Sequence, residues 1–243
     1  MRVFRTEMRL IQISSALSIL VIVAAVFLFE AYGHETKSAD NGSPASKTEE
    51  KEEDPSPHIV CLGDSYTYGY PDRTPEADSS WPHHMEEILG VKVANEGKLR
   101  QTSADLLERF DSDVVGKNKA KPAMVIIFAG MGDALGETPA SAYTFEKNVV
   151  GLVEKAQDHD IKPVLIMPFF ISEADILPFI TEYRDWLRGY AETNDIKLID
   201  FQEMLCDGEN GIKKQYSPTG KYPNTEGYLE MGKYMAEQLK NDV

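Results

Sequence analysis

The run "CLGDSYTYGYP", residues 61–71, carries an apolar segment straight into Gly-Asp-Ser and so sets a serine hydroxyl, Ser65, at the end of a strand. Such a hydroxyl attacks an ester carbonyl only when a neighbouring base takes its proton and donors stabilise the oxyanion that forms. The base usually used is histidine. The chain has five, His34, His58, His83, His84 and His159, and none follows His159. His58 precedes the first apolar run and His159 lies in the turn leading into "KPVLIMP", so both belong at the far edge of a sheet from Ser65. His83 and His84, in "SSWPHHMEEIL", open a helix that starts on the Ser65 side, where a helix N-terminus favours the neutral imidazole a base needs. They are the candidate substitute base; the bland reading is two surface histidines at a helix start.

The elements that must position Ser65 follow from the pattern after His58. Short apolar runs recur: "HIVCLG", "VKVANE", "AMVIIFAG", "KPVLIMPFF" and "IKLIDF". Most are continuous rather than alternating, which suits parallel strands covered on both faces. Helical patterns lie between them. "SSWPHHMEEIL" has serines before a proline, a helix start. "SAYTFEKNVVGLVEKAQ" lines up Phe145, Val149, Leu152, Val153 and Ala156, and "TEGYLEMGKYMAEQLK" lines up Tyr228, Met231, Tyr234, Met235 and Leu239. Strand alternating with helix predicts a three-layer α/β/α domain with a mostly parallel sheet, flavodoxin-like in layout. Function then gathers at the carboxyl ends of the strands, where Ser65 sits.

Four stretches in order, "GDSYTYGYP", "NEGKLRQTSADLLERF", "VIIFAGMGDAL" and "YPNTEGYLEM", resemble the blocks of the SGNH, or GDSL, hydrolase family of esterases and lipases, from about 58 to 240. The resemblance implies Ser65 as nucleophile and Gly97 as a backbone donor to the oxyanion hole. It also exposes departures. Where the family reads Gly-x-Asn-Asp, this chain reads Gly130-Met131-Gly132-Asp133, so Gly132 replaces the asparagine donor. Where the family reads Asp-x-x-His-Pro, it has Thr219-Gly220-Lys221-Tyr222-Pro223, so Thr219 and Tyr222 stand in the aspartate and histidine positions. Tyr222 titrates near ~10 in water, too high for a base at neutral pH. Lys221 would serve only if desolvated, and Asp133 is a lone carboxylate. Thr219→Asp with Tyr222→His is expected to give detectable turnover, and adding Gly132→Asn to give more.

"MPFFISEADILPF" follows the fourth strand on the functional edge. Phe169 and Phe170 are read there as an apolar lip for an acyl chain, against the alternative that they pack over the end of the sheet.

The remaining features bound the setting. "MRVFRTEMR" precedes "LIQISSALSILVIVAAVFLF", 20 residues without a charge, enough to cross a bilayer. Arginines before it and acid after it predict a cytoplasmic N-terminus at 1–9, an uncleaved signal anchor at 10–29, a polar stalk at 30–57 and an extracytoplasmic domain at 58–243. A net charge of −15 argues against a nucleic-acid partner. Cys61 and Cys206, the two cysteines, form no framework and no metal motif, so neither metal nor cofactor is expected. The expectation is a membrane-anchored module whose pocket binds an acyl-ester, lipid or glycan ligand with catalysis lost or much reduced. The alternative is an active serine ester hydrolase with a substitute base.

Overall fold

Five of the apolar runs become strands: β1 (Ile59–Gly63), β2 (Val93–Gly97), β3 (Met124–Phe128), β4 (Lys162–Ile166) and β5 (Lys197–Ile199). They form one sheet in the order β2-β1-β3-β4-β5, and every neighbouring pair is parallel. β1 and β3 lie inside the sheet, and every residue of both is buried. Helices cover both faces, which is why these strands show no polar alternation. β2 is an edge strand in which only Gly97 is buried.

The computed structural model describes residues 58–71, 74–75, 77–117 and 121–243. All belong to one compact unit, Glu53–Val243. The N-terminus, anchor and stalk expected at 1–57 lie outside the described residues. Among the described residues, no helix is long and apolar enough to cross a membrane.

The helices are α1 (Ser65–Tyr68), α2 (Trp81–Leu89), α3 (Ser103–Phe110), α4 (Met131–Leu135), α5 (Ala142–Asp158), α6 (Leu177–Thr193), α7 (Gln202–Leu205) and α8 (Thr225–Leu239). Their starts carry side-chain caps that satisfy otherwise orphaned N–H groups. Ser80 accepts from the His83 N–H, with Pro82 in the first turn of α2. Thr102 and Asp105 form a capping box on α3, and Asn224 caps α8. The stripe expected on α5 is buried in full; on α8 it is buried except at Tyr234, which is half-buried. α2 packs along α8, while α3 packs on α5 and α5 on α6. Cys61 and Cys206 are both buried and free.

Candidate active site

β1 ends at Gly63, Asp64 caps the short helix α1, and Ser65 is the first residue of that helix. Asp64 joins two turns. One carboxylate oxygen accepts the Tyr66 N–H at 2.9 Å and the other accepts the Gly132 N–H at 2.9 Å. Burial pushes its carboxyl up to about 7 against the pull of those backbone donors, with Asp133 adding to the rise. Ser65 is held at the carboxyl edge of the sheet by hydrogen bonds made by its neighbour.

The backbone donor nearest Ser65 is not the one expected. Ser65 Oγ accepts from the N–H of Arg100 at 3.0 Å, and Arg100 adopts φ 61°, the left-handed region that favours glycine. Gly97 donates its N–H to Asn95 Oδ1 at 2.9 Å and so does not face Ser65. Its lack of a side chain has another cause: a Cβ there would lie 2.1 Å from the Tyr68 nitrogen. Gly97 lets α1 pack against the end of β2, and Arg100 is the donor that sequence reasoning missed. The loop carrying Arg100 is tied down by Arg109, which donates to the Gly63 carbonyl and to Gln101 Oε1, each at 2.9 Å. It also pairs with the buried Asp113 at 2.8 Å.

Gly132 lines the same cavity as Ser65. A Cβ on it would stand 1.9 Å from the Gln101 carbonyl oxygen. The Arg100–Gln101 backbone has therefore closed over the space that a side chain at this position would need. Asp133 points inward instead. It accepts from the Ser103 N–H at 2.8 Å, the Ser103 hydroxyl at 2.5 Å and the Gly130 N–H at 3.2 Å. Burial raises its carboxyl above the ordinary range. It holds loop amides and does not line the cavity.

Tyr222 reaches the Ser65 cavity, but as a packed aromatic. Its ring stacks on Tyr66 at 5.2 Å and meets Tyr70 edge-on at 5.3 Å. Thr219 is exposed and lines a different cavity, beside Ser217 and Gly220. Lys221 pairs with Glu173, and its carbonyl accepts the Tyr66 hydroxyl at 3.0 Å. A Ser65–Lys221 pair is thus not formed. His83 and His84 both lie near Glu87, at 3.8 and 3.5 Å, on α2 where that helix meets α8. Neither lines the Ser65 cavity.

The apolar lip is also rearranged. Phe169 is fully buried and packs on Tyr66 and Phe128 at 5.3 and 5.9 Å. Phe170 is half-buried beneath the Arg184 guanidinium, 5.2 Å from the ring centre. Neither phenylalanine lines the cavity; both pack over the end of the sheet, held where α6 presents Arg184 to Asp200 and to the Pro168 carbonyl.

The cavity itself is about 410 Å³, within the range of small-molecule sites. Asp64, Ser65, Arg100, Gly132, Glu137 and Tyr222 set its chemistry, with Tyr66, Thr102, Leu135 and Gly136 completing the wall. Among the described residues it offers two hydroxyls, a backbone donor, an exposed guanidinium, two phenols and two carboxylates, and no imidazole or ammonium. Such a set can orient a polar carbonyl compound. Asp64 spends its two oxygens on backbone N–H groups, and no imidazole is at hand to take the Ser65 proton. Among the described residues, no cluster of histidine, cysteine or carboxylate side chains could hold a metal.

Comparison with known proteins bears on the family and the fold. The family model for the GDSL-like lipase/acylhydrolase family matches residues 61–229. A protein from Desulfitobacterium hafniense DCB-2, described as lipolytic and of the G-D-S-L family, is 36% identical with a TM-score of 0.66, over 74% of this chain and 97% of its own. A GDSL-like lipase from Bacteroides thetaiotaomicron VPI-5482 is 23% identical with a TM-score of 0.64, over 76% of this chain and 88% of its own. A lipase/acylhydrolase from Enterococcus faecalis is 21% identical with a TM-score of 0.65, over 76% and 95%. At those identities the last two speak to the fold alone. No curated protein sequence matches the chain.

Proposed function

The chain belongs to the GDSL-like lipase/acylhydrolase family, and we propose that it is a binding or regulatory module of that family whose ester hydrolysis is lost or severely reduced. Its Ser65 cavity receives an acyl-ester or glycan ligand, and the apolar run at 10–29 anchors it with the domain outside the cell. One observation carries the reading: the described residues around Ser65 include no imidazole, both Asp64 oxygens are engaged by backbone N–H groups, and Tyr222 stands in an aromatic stack. Removing the histidine of a serine triad costs on the order of a millionfold in turnover. What survives without it is roughly 10³-fold over water.

A second reading, a serine ester hydrolase acting on envelope lipid or glycan esters with a substitute base, is favoured by the Arg100 N–H at Ser65, a donor of the kind an oxyanion needs. The two readings differ over the reactivity of Ser65. Full-length protein in detergent, treated with a fluorophosphonate probe beside Ser65→Ala, separates them. Labelling no greater than that of Ser65→Ala is expected; Ser65-dependent labelling would favour the hydrolase.

A further inference from the structure

A second cavity, of about 400 Å³, adjoins the segment that carries Tyr222. Residues 217–220 form part of its wall, and Tyr222, two residues on, belongs to the Ser65 cavity. Its backbone is fixed: the Gly220 carbonyl accepts the N–H groups of both Ser172 and Ile212, at 3.0 and 3.1 Å. Into this rigid wall is set a hydroxyl with nothing to bond. Ser217 is 1% exposed and its Oγ has no hydrogen-bond partner. Leaving such a group unpaired costs about 1–3 kcal/mol, so a ligand that completes it gains by doing so.

The lining decides what that ligand is. Ser217 and Thr219 bring hydroxyls and Asn210 an amide, the Ser172 hydroxyl being given to the Asn210 carbonyl, while Ile212 and Pro218 give an apolar patch. The charges offset one another: Lys214 is matched by Asp207, and the Lys213 ammonium is occupied by the carbonyls of Glu203 and Met204 at 2.8 and 2.9 Å. A phosphate would face one lysine and one carboxylate, and an acyl chain would face hydroxyls. A sugar ring matches both kinds of surface, its hydroxyls meeting the polar groups and its C–H face the apolar ones. We infer that this second cavity is a binding site for one unit of a neutral glycan. The inference holds whether Ser65 is silent or reactive, because it uses none of the residues of that cavity.

Calorimetric titration of the full chain in detergent with cellotetraose, maltotetraose and N-acetylchitotetraose, and separately with inorganic phosphate, tests it. At least one neutral tetrasaccharide is expected to bind. Ser217→Ala, which removes a hydroxyl that supports nothing else, should weaken that binding about fivefold. Thr219→Trp, a plug on the exposed rim, should abolish it with the melting temperature unchanged. Silence with all three sugars overturns the inference. So does binding that responds to Arg100→Ala and not to Ser217→Ala, which would place the sugar beside Ser65. Tighter binding of phosphate than of any sugar would make the cavity an anion site and overturn it as well.

Discussion

Gly132 and Gln101 are in contact beside the Ser65 cavity: the Gln101 carbonyl oxygen occupies the place where a side chain on Gly132 would begin. The family asparagine therefore cannot be restored by one substitution. Gly132→Asn, which from the sequence was expected to add an oxyanion donor, should instead force the Arg100–Gln101 backbone outward. It is expected to lower stability by about 1–3 kcal/mol in urea unfolding and to add nothing to turnover. An unchanged unfolding midpoint would show that the loop yields freely.

Arg100 holds a left-handed backbone that costs a residue with a Cβ roughly 1 kcal/mol. Arg100→Gly keeps the N–H directed at Ser65 and relieves the strain. A gain of about 0.5–1 kcal/mol is expected by thermal unfolding. Arg100→Ala should show no such gain, since alanine carries the same penalty.

Asp64 predicts a pH dependence. Its carboxyl is raised to about 7 by burial, while in the unfolded chain it titrates near ~4. Between those values the folded protein holds a proton that the unfolded chain has lost. Stability from this group is thus full below about pH 4, falls as pH rises to about 7, and is level above. The loss is on the order of 4 kcal/mol if Asp64 acts alone, and Asp133, also raised, adds in the same direction. Unfolding free energies across this range should fall for the native chain, and the slope should shrink in Asp64→Asn.

Much of this arrangement was legible in the sequence. The strands announced themselves because β1 and β3 are covered on both faces and so read as unbroken apolar runs. Ser65 was placed correctly because a Gly-Asp-Ser turn directly follows the first of them. What failed was inference from residue type to backbone role. A glycine was taken for the donor, yet Gly97 is small for packing against Tyr68, and an arginine supplies the N–H in a conformation no sequence pattern marks. The phenylalanines failed for a related reason: an apolar cluster at a strand end reads alike as lip or as core. His83 and His84 were assigned by which edge their helix starts from, and the direction its side chains take is set by packing against α8.

Phe169 and Phe170 are expected to matter for folding rather than for ligand choice. Phe169→Ala removes a ring wedged between Tyr66 and Phe128 and should cost about 3–5 kcal/mol in chemical unfolding. Long-chain and short-chain ligands should bind the surviving folded protein with unchanged preference. A selective loss of long-chain binding would return these residues to the pocket.

The central claim, that Ser65 is silent for want of a base, is tested most directly by Ser65-dependent hydrolysis of p-nitrophenyl acetate. Three forms of the full chain are compared: native, Ser65→Ala, and Thr219→Asp with Tyr222→His, which returns an imidazole to the cavity. The native rate should equal that of Ser65→Ala, and the double variant should exceed both, with its gain abolished when Ser65→Ala is added. A native rate reproducibly above that of Ser65→Ala would contradict the account.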